Sequence, residues 1–191
     1  MSMAGWRNSV VRFRVSLSPA EAKLAAAQIC REAAQRRTSE NKTVAHSSVI
    51  VLIGVPGSGK STWARKQGHT VLSSDEMREM LSGDETNQSI HGKVFGAMRH
   101  LLRARLEIGA GPTIIDATNL RRRDRKPWLQ LAKKINVPVE AVYFAIPLEL
   151  ALDRNRSRER VVPEDVIRSM VERIQPPTLE EGFSAIRTIS S

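Results

Sequence analysis

The sequence predicts an α/β fold: a parallel sheet flanked by helices on both faces. Three observations point there. From residue 49 onward, short apolar runs alternate with stretches of helical spacing, the order of strands joined by crossover helices. The first run, VIVLI, passes directly into a glycine-rich turn and then a helix-forming stretch. The chain has 191 residues and is 41% hydrophobic, enough for one such domain with a buried core but not for two.

Taken in order, residues 1–20 carry Arg7, Arg12 and Arg14 and no acid, loosely the composition of an organelle transit segment. The uninterrupted apolar stretch of a secretory signal is missing. Residues 18–37 read as one helix, with Ser18 as N-cap, Pro19 in the first turn and then abundant Ala, Glu, Lys and Arg. The polar segment 38–48 reads as a linker. Residues 1–47 are therefore expected to form an N-terminal helical appendage, and 48–191 the main domain. Strands are expected at 49–53, 70–72, 113–116, 139–145 and 185–189, with a helix over 61–67. The longest helix should cover about 90–108. Ile90, Val94, Met98, Leu101, Leu102 and Leu106 recur there at three- and four-residue steps, and Gly109-Ala110-Gly111 stops it. Pro163, Glu164 and Asp165 open another helix, with Val166, Met170 and Ile174 along one side and Pro176-Pro177 at its end.

Composition excludes some classes. No apolar run approaches the ~20 residues of a bilayer span; the longest, 141–146, has the length of a buried strand. The lone Cys30 excludes an internal disulfide and suits a reducing cytoplasm, the expected location. No structural metal is expected. A formal charge of +10, from 30 Lys and Arg against 20 Asp and Glu, attracts polyanions. A soluble basic surface accounts for that charge equally well.

Residues 54–61, GVPGSGKS, match the pattern G-x-x-x-x-G-K-[ST] in its required place between a strand and a helix. Gly54, Gly57, Ser58, Gly59, Lys60, Ser61 and Thr62 are the candidate nucleotide-binding residues of this P-loop. Glycines let the backbone wrap a phosphate, so that several N–H groups and the helix N-terminus face the anion. Lys60 is placed to reach the β- and γ-phosphates and the Ser61 hydroxyl to ligate Mg²⁺. The motif fixes a nucleotide but does not name the acceptor.

The acceptor must be read elsewhere. Asp75, in LSSDEMREML, follows the second strand, at the sheet edge where open α/β folds bind ligands. A carboxylate there can take the proton of an attacking hydroxyl. A helix N-cap role fits DEMR as well. Arg78, one helical turn on, shares its face and is placed to hold an anionic group of the acceptor. Asp116, after Ile114-Ile115, has the Walker-B position that orients Mg²⁺, usually through water; a turn-forming Asp is the plain alternative. Asn119 suits loop hydrogen bonds better than chemistry. The basic run 121–126, RRRDRK, is by default a solvated face, although its rim position leaves a polyanion contact open and Arg99 and Arg103 could extend the patch. Finally, Arg154, Arg156, Arg158 and Arg160 crowd a segment between two helical stretches, where P-loop kinases carry a mobile lid. At least one of the four is expected to be catalytic.

GVPGSGKST, SSDEMR, GDETNQ (83–88), IIDATN, RNRSR and EEGFSAI (180–186) occur in this order. Together they resemble the 5′-polynucleotide kinase domain of bacterial end-healing enzymes, and the kinase domains of the phage polynucleotide kinase and the metazoan kinase/phosphatase look similar. The resemblance covers residues 48–189. Its P-loop is generic, whereas S-D-x-x-R with D-x-T-N and the arginine-rich segment is more specific. It implies a P-loop kinase-like fold with an Arg-rich lid, and Mg²⁺-dependent in-line transfer of the γ-phosphoryl group of ATP to a 5′-hydroxyl end of RNA or DNA. It further implies Asp75 as general base, Arg78 as the grip on the 3′-phosphate of the terminal nucleotide, Arg158 as the lid arginine and Arg154 as a second. ATP rather than GTP also rests on the resemblance. Bacterial end-healing enzymes carry phosphatase and ligase modules after the kinase, and the phage and metazoan enzymes a D-x-D-G-T motif; these 191 residues contain neither. That departure keeps open a small-molecule or toxin-type kinase acting on a sugar, nucleotide sugar or antibiotic hydroxyl. A nucleotide-dependent binding module, with Asp75 only capping a helix, is a third reading.

Overall fold

The computed structural model describes Gln28, Arg31, Glu32 and residues 47–158 and 160–190. The chain parts into two compact units, Met1–Ser39 and Glu40–Ser191. In the first, Gln28, Arg31 and Glu32 are helical and exposed; the transit-like segment and the rest of the helix expected at 18–37 lie outside the described residues, as does most of the expected linker.

In the second unit, among the described residues, five strands form one parallel sheet in the order β2-β3-β1-β4-β5. The strands are β1 (Val49–Ile53), β2 (Thr70–Ser73), β3 (Thr113–Asp116), β4 (Val139–Phe144) and β5 (Ala185–Ile189). Six helices connect them: α1 (Lys60–Lys66), α2 (Ser74–Ser82), α3 (His91–Glu107), α4 (Arg122–Ile135), α5 (Leu148–Arg156) and α6 (Glu164–Glu172). Because side chains alternate along a strand, each apolar run feeds two cores. Val49, Val51 and Ile53 of β1 join Ile115, Val139 and Ala141 on one face, packed under Val94, Met98, Leu102 and Leu106 of α3 and Trp128, Leu129 and Ala132 of α4. Leu52, Ile114, Val142 and Phe144 point the other way and pack with Ala64 of α1. Each fully buried Val, Leu, Ile, Phe or Met among them contributes about 1.5–3 kcal/mol. A smaller cluster, Val55, Leu120, Ala151, Leu152 and Ile167, lies under the P-loop and the arginine segment.

The expected fold class holds, with local differences that have physical reasons. The longest helix starts at His91, because a 3₁₀ turn at Gln88–Ile90, where Asn87 Oδ1 accepts from Ser89 N at 3.1 Å, precedes it. α4 was not legible: its first turn is nearly all charged and Pro127 lies inside it. α4 forms because Arg125, Trp128, Leu129 and Ala132 fall on one buried face. Arg154 and Arg156 are not in a connection between helices but in the last turn of α5.

Candidate functional site

The strand ends β1, β2 and β3 open into one cleft of about 1430 Å³. Its walls include Gly57, Gly59, Lys60, Ser61 and Thr62 from the P-loop, Asp75 and Arg78 from α2, Asp116 and Thr118 after β3, and Arg154, Arg158 and Arg160. The sequence-derived phosphate, acid and arginine candidates thus converge, except that Gly54, Ser58 and Arg156 are not on the cleft wall. Gly54 and Ser58 shape the loop from behind: Gly54 N donates to Thr118 O at 3.1 Å, and the buried Ser58 accepts from Lys60 at 3.3 Å.

The P-loop geometry requires its glycines at two places. Gly57 has φ +78°, and a Cβ there would collide with the Ala151 carbonyl oxygen of α5. Gly59, at φ +94°, is the N-cap of α1 and leaves its N-terminal amides uncovered. Lys60 is 8% exposed and folds back so that Nζ donates to Val55 O at 2.8 Å. Burial pushes its ammonium down to about 8; Asp116 and Asp75 pull it back up, and Arg158 adds to the lowering. A buried cation held against a backbone loop, with amides free at a helix start and the buried carboxylate of Asp116 acting on it, is the chemistry of a triphosphate and divalent-cation site. The residues present fit such a ligand.

Asp75 is not the helix cap. Ser73 is, its Oγ accepting from Glu76 N at 3.4 Å, and Asp75 is the second residue of α2. Its carboxylate is 45% exposed toward the cleft. Oδ1 accepts from Arg78 Nη1 at 2.8 Å, and Oδ2 lies 3.9 Å from Arg160 Nη1. Arg78 is buried, its Nη1 also donating to Ser74 O at 3.2 Å, while its Nε has no partner among the described residues. The register pairs Ser73 with Asp116, so Asp75 follows, by two residues, the strand end next to that of Asp116.

The four arginines sort themselves. Arg154 and Arg158 are exposed along the cleft. Arg156 pairs with Glu164 at 2.8 Å and does not line it. Arg160 donates to Glu85 O at 3.3 Å and lies 3.6 Å from the Glu85 carboxylate, joining this segment to the 83–88 loop. Sequence reasoning missed Asn155, which is fully buried and staples the segment at its base. Its Nδ2 donates to Val162 O at 2.8 Å and its Oδ1 accepts from Val162 N at 3.1 Å. Its position among alternating arginines was the available signal.

The loop after β3 is fixed by Asn119, in the left-handed region at φ 47°. Its Nδ2 donates to Leu52 O at 2.8 Å, and its Oδ1 accepts from Trp128 Nε1 at 3.1 Å. The basic run beyond it is only partly a solvated face. Arg125 is fully buried: Nε and Nη2 donate to the Glu181 carboxylate at 2.8 and 2.6 Å, and Nη1 donates to the carbonyls of Asn119, Leu120 and Gln175. Arg99 and Arg103 do not extend the cleft; Arg103 pairs with Glu107 at 2.7 Å on the exposed side of α3.

Sheet order, P-loop and converging arginines define a P-loop kinase-like domain. A family model described as AAA domain matches residues 49–177, and the chain belongs to that family. It is 29% identical over 152 residues to the bifunctional polynucleotide phosphatase/kinase of Schizosaccharomyces pombe, over 75% of this chain and 34% of that protein. It is 28% identical to the L-seryl-tRNA(Sec) kinase of Methanococcus maripaludis, over 68% of this chain and 53% of the relative. The chain therefore spans about a third to a half of these relatives. Among solved structures, a chain of an RNA repair complex superposes with TM-score 0.59 at 22% identity, covering 67% of this chain and 44% of that one. A gluconokinase from Sinorhizobium meliloti superposes with TM-score 0.51 at 18% identity, covering 75% and 82%. At these identities the superpositions establish the fold.

Proposed function

We propose that this chain is an ATP-dependent kinase that phosphorylates the 5′-hydroxyl end of a polynucleotide. The observation that carries the reading is Asp75: a cleft-facing carboxylate in the first turn of α2 whose Oδ1 is locked by Arg78, in the same cleft as Asp116 and Lys60. A general base needs one oxygen oriented and the other within reach of the acceptor; Oδ2 accepts no hydrogen bond among the described residues and has the Arg160 guanidinium 3.9 Å away. Here Oδ2 takes the proton of the attacking hydroxyl.

The remaining residues supply position and charge. Lys60 and the loop amides from Gly57 to Thr62 hold the phosphates, and Arg158, with Arg154, faces the charge that develops on transfer. Ser61 and Asp116 are the residues that would hold Mg²⁺, which when bound neutralises phosphate oxygens during transfer. Arg78 orients Asp75, and gripping the 3′-phosphate of the terminal nucleotide is its second role. A nucleic-acid acceptor draws support from the polynucleotide phosphatase/kinase relative and from the net charge of +10. The seryl-tRNA kinase relative makes a hydroxyl carried on a tRNA the second acceptor to test.

The test offers γ-labelled ATP to a 5′-hydroxyl oligonucleotide, to aminoacylated tRNA and to a panel of sugars and antibiotics. Label should enter the oligonucleotide, and Asp75→Asn should lower turnover about 10²–10⁴-fold while Lys60→Ala abolishes it. Label on small hydroxyl compounds alone would overturn the acceptor; undiminished turnover in Asp75→Asn would overturn the base.

A further inference from the structure

Beside the main cleft lies a second hollow of about 180 Å³, walled by Arg121, Arg123 and Arg173 together with Thr118, Met170 and Asp124. Thr118 and Met170 also line the cleft, so the two spaces adjoin. The arginines come from two separate elements, the start of α4 and the residue that ends α6. Arg121 is half-buried at the rim, and the exposed Arg123 and Arg173 reach it from the two elements. The one acid of the hollow is already engaged: Asp124 Oδ2 accepts from Arg121 N at 3.0 Å, and Oδ1 lies 3.7 Å from Arg123 Nε. Arg121 makes no ion pair among the described residues. Arg173 donates through Nε to Ser169 O at 2.8 Å, and its two terminal nitrogens make no hydrogen bond there.

The walls are held in place. Gln175 N donates to Leu120 O, Arg122 N donates to Gln175 Oε1, and Arg125 Nη1 donates to Gln175 O, each at 2.9 Å. Gathering three cations around one fixed hollow costs mutual repulsion that a bound anion relieves. Guanidinium forks match phosphate oxygens in particular. The hollow is an open depression with room for a phosphodiester group.

We infer that this hollow is a second anion subsite, which takes a backbone phosphate internal to the acceptor strand while the strand's 5′ end lies at Asp75. The inference rests on the polynucleotide reading and adds to it a dependence on acceptor length. Two contacts of this kind should raise kcat/KM for an oligonucleotide over a 3′-mononucleotide by about tenfold or more. The variant Arg121→Gln/Arg173→Gln should reduce that ratio toward one. It should also lower the slope of log K against log salt for strand binding by about 0.7, the value for one phosphate on a single strand.

The control is Lys133→Gln/Lys134→Gln, which removes the same charge from two exposed residues in the last turn of α4. It should leave both readouts at the wild-type value, with melting curves run on every variant. An unchanged length ratio and salt slope in the arginine variant overturns the subsite, as does an equal drop in the lysine control. If no 5′-hydroxyl acceptor of any length is phosphorylated, the polynucleotide acceptor fails; the subsite is then judged by strand binding alone, where a lower salt slope confined to the arginine variant sustains it and an unchanged slope overturns it.

Discussion

Replacing Arg125 by Met should destabilise this domain more than any other single change in the basic run. The side chain is completely buried and donates five hydrogen bonds, two to Glu181 and three to main-chain carbonyls. Methionine fills much of the volume but leaves the Glu181 carboxylate, only 6% exposed, without its cation, and takes the donor from the Asn119 and Gln175 carbonyls, while Leu120 O keeps Gln175 N. Breaking one side of a buried ion pair costs about 3–5 kcal/mol, against a total stability of roughly 5–15 kcal/mol. At about 2–4 °C per kcal/mol for a domain of this size, the melting temperature should fall by roughly 6–20 °C. Glu181→Leu alone should cost a similar amount, because it strands the guanidinium. The double variant should recover much of the loss, since apolar pairs replace buried ion pairs at little or no cost. Denaturant titration of the four proteins gives the coupling energy. A single-variant loss below about 1 kcal/mol, or additive losses, would refute the reasoning, because a pair that mattered only by packing would not couple in this way.

Other expectations can be checked together. Lys60 titrates near 8 when folded against 10.5 unfolded, so the unfolded chain holds the extra proton between those values. This term therefore makes stability rise with pH across that window, by at most about 3 kcal/mol. Triphosphate binding, which favours the ammonium, should take up about half a proton at pH 8, read by calorimetry in buffers of different ionisation enthalpy; zero uptake would contradict the buried site. Gly57→Ala should weaken nucleotide binding at least tenfold, since a left-handed alanine costs about 1–2 kcal/mol and its Cβ meets the main chain of α5; fluorescent-nucleotide titration reads this. Arg158→Gln should lower turnover about 10²-fold or more. Arg156→Gln, which loses an exposed pair with Glu164, should leave the melting temperature nearly unchanged and spare turnover; equal losses in the two would undo the sorting of these arginines.

Most of the sheet was legible because its determinants are local. The runs at 49–53, 113–116 and 185–189 match the observed strands residue for residue, since a short β-branched run between breakers has few alternatives. The P-loop was legible for the same reason: its pattern is contiguous. What sequence could not supply were facts that depend on residues far apart. Nothing in RRRDRK distinguishes Arg125 from its neighbours, because its inward direction is set by Trp128 and Leu129 on the same face of α4 and by Glu181 56 residues on. Nor could Arg156 be separated from Arg158 without the carboxylate of Glu164 across the turn. The N-cap question at Asp75 turned on two positions, since Ser73 and Asp75 are both good caps and only the strand end chooses between them.

The pairing of Arg125 with Glu181 also bears on where this domain stops. The family match ends at residue 177, yet Glu181, Phe183 and β5 lie beyond it. A chain cut at that boundary would keep every nucleotide-facing residue named above. It would also keep a buried guanidinium with no carboxylate, lose Phe183 from the main core and leave β4 as an unpaired sheet edge. The smallest unit that folds is therefore longer than the unit that can be recognised, and truncation series should show the break between residues 177 and 190.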